Sequence, residues 1–359
     1  MLIGGIEGLA HEFKYIDKPR ETLPDFECLP HGARTDDDND FEWTHLYYMD
    51  KEGTLKIPYP RIVEIWKANM NSGIWVANKQ ARALMGKGVV PPATGDPKNN
   101  PAAWYNLSGQ FCVESYGVIA PGMPQSGADI GLHYAKIAVS GEPLQATQYW
   151  TSLISIAEVD DATVQELIQR ASRAVDPKSA MAQVVKDAIQ FYADNPTDWK
   201  KARQLMHQKW MGLGWNVNST PTNGGIVLLA LLYGQGDFYK TLQYAMAMGD
   251  DADCNAATAG VVIGCRIGYS KIAALPGYKM PDRYSNHTRP TLPRVTKVSE
   301  QAQTLLRVCE KVILAKGGSK IEIGGKPGYR IRLQEVKMLE KLPDDAVDPA
   351  HPVSNKKSP

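Results

Sequence analysis

Apolar residues recur three and four positions apart in one segment after another of this chain. The spacing predicts helices over residues 59–70, 74–85, 104–119, 127–138, 145–158, 163–175, 180–193 and 199–211. Two further segments, 225–233 and 255–267, are apolar almost all round. A helix without a polar face must be wrapped by others, so these two are expected at the centre of the fold. Period-two alternation is nearly absent before residue 320. Beyond it, Gly-punctuated stretches at 320–323 and 329–333 predict a short hairpin, preceded by a helix over 299–314.

Breakers fall between the helical segments. Pro91-Pro92, Gly95, Pro97 and Pro101 predict a long irregular loop, and Pro121-Gly122-Met123-Pro124 a tight turn. After Pro276 the texture changes to frequent Pro, Arg and Lys. The division expected is an all-α domain over 1–275, an extension of irregular and short β structure over 276–342, and a disordered tail over 343–359.

Composition narrows the function classes. Lys and Arg number 40 against 39 Asp and Glu, a formal net charge of +1, so no basic field exists to attract nucleic acid, and none is expected as a partner. The longest apolar run, from Ile226 to Tyr233, is eight residues, whereas a membrane span needs about 20. Met1-Leu2-Ile3-Gly4 lacks the features of a secretory signal. A signal removed earlier would leave no trace, so export stays open beside a cytoplasmic location. Cys28, Cys112, Cys254, Cys265 and Cys309 contain no C-x-x-C pair; they read as buried packing thiols in a reducing compartment.

Two acidic clusters carry the candidate chemistry. The first is Arg34-Thr35-Asp36-Asp37-Asp38-Asn39-Asp40-Phe41-Glu42, the second Gly249-Asp250-Asp251-Ala252-Asp253-Cys254-Asn255-Ala256-Ala257. Each is expected to open a helix, where the helix dipole and free N–H groups favour ionised carboxylates. Ionised carboxylates brought together repel unless a hard divalent cation neutralises them. Alternatively, each cluster caps its own helix and never meets the other. That alternative is weaker for the second cluster, which runs straight into an apolar helix. EF-hand loops are excluded: the sixth position is Phe41 or Ala256 instead of Gly, and the twelfth Tyr47 or Val262 instead of Glu.

In motif order and spacing the chain resembles the ADP-ribosylglycohydrolase family over roughly residues 2–275. The family's opening G-D-x-x-G-x-x-x-E-F is similar to the run from Gly4 to Phe13, its T-D-D-T to the Thr35–Asp40 cluster, and its closing G-G-D-T-D-T-N-A-A to Gly249–Ala257. Supporting stretches lie at 111–124, with Glu114, and at 223–238, with Asn223. Three departures stand out: Gly5 replaces the opening Asp, Asp38 or Asn39 the last Thr of T-D-D-T, and Cys254 the last Thr of the closing motif. Hydrophobic phase favours Asp37-Asp38 as the D-D pair, with Asp36-Asp37 the alternative register. These departures bring the chain nearer to the exported, carbohydrate-associated branch than to the ADP-ribosylarginine hydrolases.

The resemblance implies an all-α orthogonal helical bundle with a metal-bearing cleft. It implies Asp36, Asp37, Asp38, Asp251 and Asp253 as ligands of one or two divalent cations, with Mg2+ expected and Mn2+ or Ca2+ as alternatives. Glu12 and Asp37 become the candidate catalytic carboxylates. Asn100 (on the loop after Pro91), Glu114, Asn223 and Asn255 become candidates for holding substrate. The reaction implied is hydrolysis of a ribosyl-type, ADP-ribosyl N- or O-glycosidic bond. A glycosidase acting on a furanoside without a nucleotide is the second reading, and an inactive binding module of the same fold the third. The expected partner is thus a small-molecule, glycan or ADP-ribosyl substrate. The histidines show no paired metal spacing, and core packing accounts for most of the tryptophans and tyrosines.

Overall fold

The computed structural model describes residues 1–343, and the tail expected over 343–359 falls, from residue 344, outside them. From the N-terminus, α1 (Leu2–Gly8) and the two-residue strand β1 (Ala33–Arg34) lead into α2 (Asp37–Glu52), α3 (Tyr59–Asn69) and α4 (Val76–Gly86). Two short helices follow, α5 (Ser108–Phe111) and α6 (Glu114–Val118), then α7 (Pro124–Ala135), α8 (Glu142–Ala157), α9 (Val164–Ala171), α10 (Ala180–Asp194) and α11 (Trp199–Gly212). Next come α12 (Thr220–Gly234), α13 (Phe238–Met248), α14 (Ala252–Ile267) and α15 (Tyr269–Ala273). The chain closes with β2 (Tyr284–Ser285), β3 (Val295–Thr296), α16 (Val298–Ala315), β4 (Ser319–Ile323) and β5 (Lys326–Arg330). The fold is all-α with only short strands.

The two segments without a polar face are central, as their pattern predicts. Every residue of α12 is buried, and α14 is buried from Ala252 to Ile263. α8 is buried throughout as well, although it carries Gln145, Thr147, Gln148, Thr151, Ser152 and Ser155. Its polar positions are covered because the chain from 334 to 342 lies across them: Gln145 and Gln148 both donate to the Glu340 carbonyl. Thr147 donates to the Gly109 carbonyl and Ser155 to that of Ala120. Most of these buried hydroxyls and amides find an acceptor, which offsets their burial; Ser152 Oγ is without one among the described residues.

Three expectations are corrected. The helix expected over 104–119 is broken into α5 and α6. Asn106 accepts the backbone N–H of Ser108 and forms an isolated bridge with Ser219, which holds the chain in a turn; such side-chain bonds compete with a continuing helix. α13 was not expected as a separate helix, and neither was α1, whose Gly4, Gly5 and Gly8 have low helix propensity. In α1 the glycines serve packing. A Cβ on Gly4 would lie 2.1 Å from the Ala256 carbonyl oxygen and one on Gly8 2.4 Å from Asp253 Cα, so only glycine lets α1 rest on the backbone of α14. The hairpin is present as antiparallel β4 and β5. Among the described residues, no helix is long and apolar enough to cross a membrane.

Candidate active site

The close packing of α1 on α14 sets up the site, because it delivers Glu12 to the start of α14. Past Gly8 the chain turns back, with Phe13 at φ 51°, and the Phe13 N–H donates to the Asp250 carbonyl at 2.8 Å. The second acidic loop is bent to match. Gly249 has φ 83°, Asp250 has φ 56°, and a Cβ at Gly249 would strike Tyr15 Cβ at 2.6 Å. One buried guanidinium ties both loops together. Arg203 donates through Nε to the Met248 carbonyl at 2.8 Å, and through Nη2 to those of Tyr15 and Ile16 at 2.6 and 3.0 Å. It reaches Asp250 Oδ1 at 3.3 Å, so Asp250 faces Arg203.

The first cluster is positioned from the other side. Asp36 caps α2 by accepting the Asp37 N–H. β1 pairs parallel with β2, and Arg289 reaches Asp40 at 2.6 Å while donating to the carbonyls of Ser72 and Gly73 at 2.7 and 3.0 Å. Asp40 is therefore drawn toward the extension while Asp36 and Asp37 are left at the cleft.

The cleft, about 530 Å³ in volume, is lined by Glu12, Asp36, Asp37, Asp251, Asp253 and Cys254, with Asn106, Ser108, Asn218 and an apolar side that includes Phe13, Trp75 and Phe111. Among the described residues, no Lys or Arg lines it. Carboxylate oxygens of Glu12, Asp251 and Asp253 lie within 4.8 Å of one another, and so do donor atoms of Asp38, Asp253 and Cys254. The two acidic clusters thus converge, and Asp253 is shared.

Electrostatics follow from this crowding. Burial first, then the charges of Asp253 and Asp36, push Glu12 up to about 7. Burial likewise lifts Asp251 to about 7. Asp37, Asp38 and Asp253 are held well above the usual carboxylate range by burial and by their acidic neighbours. The helix dipole alone was expected to keep these groups ionised; without a counter-ion, desolvation and mutual repulsion outweigh it. Asp36 Oδ2, Asp38 Oδ2, Asp251 Oδ1 and Asp253 Oδ1 are buried with no hydrogen-bond partner. Unpartnered carboxyl oxygens from two converging clusters, with no cationic side chain among the described residues lining the cleft, fit the donor set of a divalent cation.

A family model described as ADP-ribosylglycohydrolase matches residues 27–310, more than half of the chain. The chain belongs to the ADP-ribosylglycohydrolase family. It is accordingly a hydrolase of glycohydrolase type. A comparison with curated proteins found no match. The matched region contains both acidic clusters and runs into α16, whereas Glu12 precedes it; α1 and the Phe13–Asp250 bond bring that carboxylate to the cleft.

The remaining sequence candidates lie apart from the cleft lining. Asn100 donates through Nδ2 to the carbonyls of Ala77, Thr94 and Ala138 and braces the loop after Pro91. Glu114 accepts from Thr258 at 2.7 Å, buried behind α14. Asn223 Oδ1 accepts from the Asp251 N–H and from Asn255 Nδ2, and Asn255 Nδ2 also donates to the Gly249 carbonyl. These two amides hold the second acidic loop in shape. Arg203 and Arg289 were missed, since a lone Arg carries no sequence signal for what it clamps.

Proposed function

We propose that this hydrolase is a metal-dependent glycosidase that cleaves a ribosyl-type, ADP-ribosyl N- or O-glycosidic bond. Support comes chiefly from one observation: five carboxylates meet in a cleft that, among the described residues, no basic side chain lines, with buried oxygens that have no partner there. The all-oxygen group of Glu12, Asp251 and Asp253 suits Mg2+, with Mn2+ or Ca2+ as alternatives, and Asp36, Asp37 and Asp38 complete the ligand set for one or two ions. Bound there, a divalent cation supplies a seat for vicinal sugar hydroxyls and offsets the charge of the cluster.

Cleavage at a furanosyl C1 passes through an oxocarbenium-like centre. Glu12 takes a proton from the attacking water or delivers one to the leaving atom. Burial is the larger cause of its raised value, so part of that shift persists when the neighbouring charges are offset. Asp37, the second catalytic carboxylate, faces the same cleft and stabilises the cationic sugar. Asn223 and Asn255 act indirectly, by fixing the loop that carries Asp251 and Asp253. Residues 1–275 form the catalytic unit and 276–342 an extension that braces it through Arg289.

A furanoside without a nucleotide is the second reading, favoured because no Lys or Arg among the described residues lines the cleft to receive a diphosphate. Purified protein with Mg2+ or Mn2+ is to be assayed on ADP-ribosyl-arginine and on a panel of nitrophenyl furanosides, with a chelator control. Turnover of the first supports the principal reading. Turnover of a furanoside alone replaces it with the second. Turnover unaffected by chelator refutes metal dependence, and no turnover of either substrate refutes the glycosidase.

A further inference from the structure

The cleft contains one donor that a magnesium centre does not use. Cys254 Sγ lies 2.8 Å from Asp38 Oδ1 and donates to it. The residue borders the cleft and packs against Leu107 and Phe111, which line it as well. Donor atoms of Asp38, Asp253 and Cys254 all lie within 4.8 Å of one another. A second observation is independent of the thiol. Asp38 and Asp253 are only 1% and 4% exposed, yet Asp38 Oδ2 and Asp253 Oδ1 have no hydrogen-bond partner. Gly5 also leaves room: a Cβ there would come to 3.3 Å from Asp38 Oδ2, and glycine places nothing against that oxygen.

Donor chemistry separates this group from its neighbour. Glu12, Asp251 and Asp253 offer oxygen alone, which hard ions prefer. Asp38, Asp253 and Cys254 offer one sulfur and two carboxylates. Mg2+ and Ca2+ discriminate against sulfur, whereas borderline ions such as Zn2+ and Co2+ accept it. Three protein donors, two of which (Asp253 and Cys254) line the cleft, also match the form of a reactive zinc centre, which keeps its fourth position for water or substrate.

We propose that Asp38, Asp253 and Cys254 form a distinct mixed thiolate–carboxylate site that selects a borderline divalent ion of the zinc class over magnesium, beside the all-oxygen group and sharing Asp253 with it. This rests on the metal-bearing reading of the cleft and narrows it to two chemically different positions.

The test uses the full chain, stripped by chelator and kept anaerobic, titrated with Co2+ and followed by absorption. The expected result is a thiolate-to-cobalt charge-transfer band in the near ultraviolet. Zn2+ should displace it and millimolar Mg2+ should not. Cys254→Ser should remove the band and weaken Zn2+ binding at least about 100-fold, since losing even an outer-shell partner costs about 10–100-fold. The same variant should retain the rise in melting temperature caused by Mg2+. Cys254→Thr serves as a second variant if the serine protein does not fold. A cobalt complex without the band, or zinc affinity unchanged by loss of the thiol, overturns the mixed site while a surviving Mg2+ response leaves the carboxylate centre standing. If neither protein responds to any divalent ion, both readings fail.

Discussion

Asp253 belongs to both donor groups, so neutralising it probes the electrostatics of the whole cluster. In chelator, its carboxylate faces those of Glu12, Asp251 and Asp38 at 4.8 Å or less. At an effective dielectric of about 20, each ionised neighbour at that distance costs about 3.5 kcal/mol. Relief from a single neighbour is the conservative expectation for Asp253→Asn, because the others lower their charge by taking up protons. Unfolding entropy of about 2.1 cal/mol/K per residue gives about 0.75 kcal/mol/K over 359 residues. The variant should therefore melt about 4–5 °C above the wild type in chelator. The measurement is made at alkaline pH, above about 7 for Glu12 and Asp251 and high enough to ionise Asp253, which burial and its acidic neighbours hold well above the usual carboxylate range. A divalent ion at about 100 times its dissociation constant returns about 2.7 kcal/mol to the wild type and little to the variant, so the gap should nearly close. Calorimetry of both proteins, with chelator and with a Mg2+ or Zn2+ series, reads this out. A variant that melts below the wild type in chelator, or a wild type indifferent to every ion, refutes the reasoning.

Glu12→Gln should lower the hydrolytic rate by about 10²–10⁴ with the fold intact and a divalent ion still bound, more weakly, by the aspartates; a near-normal rate removes Glu12 from the mechanism. Arg289→Met strands the fully buried Asp40 and should cost about 3–5 kcal/mol, and adding Asp40→Asn should recover much of it in urea unfolding; no recovery would mean that the lost carbonyl contacts, not the charge, set the cost. Glu142 is buried, with Oε1 unpartnered and Oε2 accepting the Ala180 N–H, and burial raises it to about 8. Its folded value exceeds the unfolded one of about 4.3, so the folded state holds this proton more tightly and stability falls as pH rises between those values. Glu142→Gln should flatten that part of the stability profile, and an unchanged slope would contradict the shift.

The central helices were legible in sequence because apolar residues on every side leave a helix no face for water. So were the acidic clusters, since such charge density at a helix start is rarely neutral in meaning, and their order along the chain pointed to the family. Less legible was α1, whose glycines argue against a helix until α14 is present to be packed upon. Asn100, Glu114, Asn223 and Asn255 were identified as polar residues in suggestive places, but only the folded chain shows that their side chains are spent on backbone and neighbouring groups outside the cleft lining. The same holds within the clusters. Asp40 and Asp250 read no differently from Asp37 and Asp251, yet Arg289 and Arg203 draw the first pair away from the cleft and leave the second pair in it. A sequence records which carboxylates are available. Which of them face one another depends on the few backbone angles and buried guanidinium contacts that aim each side chain, and those arise only when segments far apart in the chain pack together.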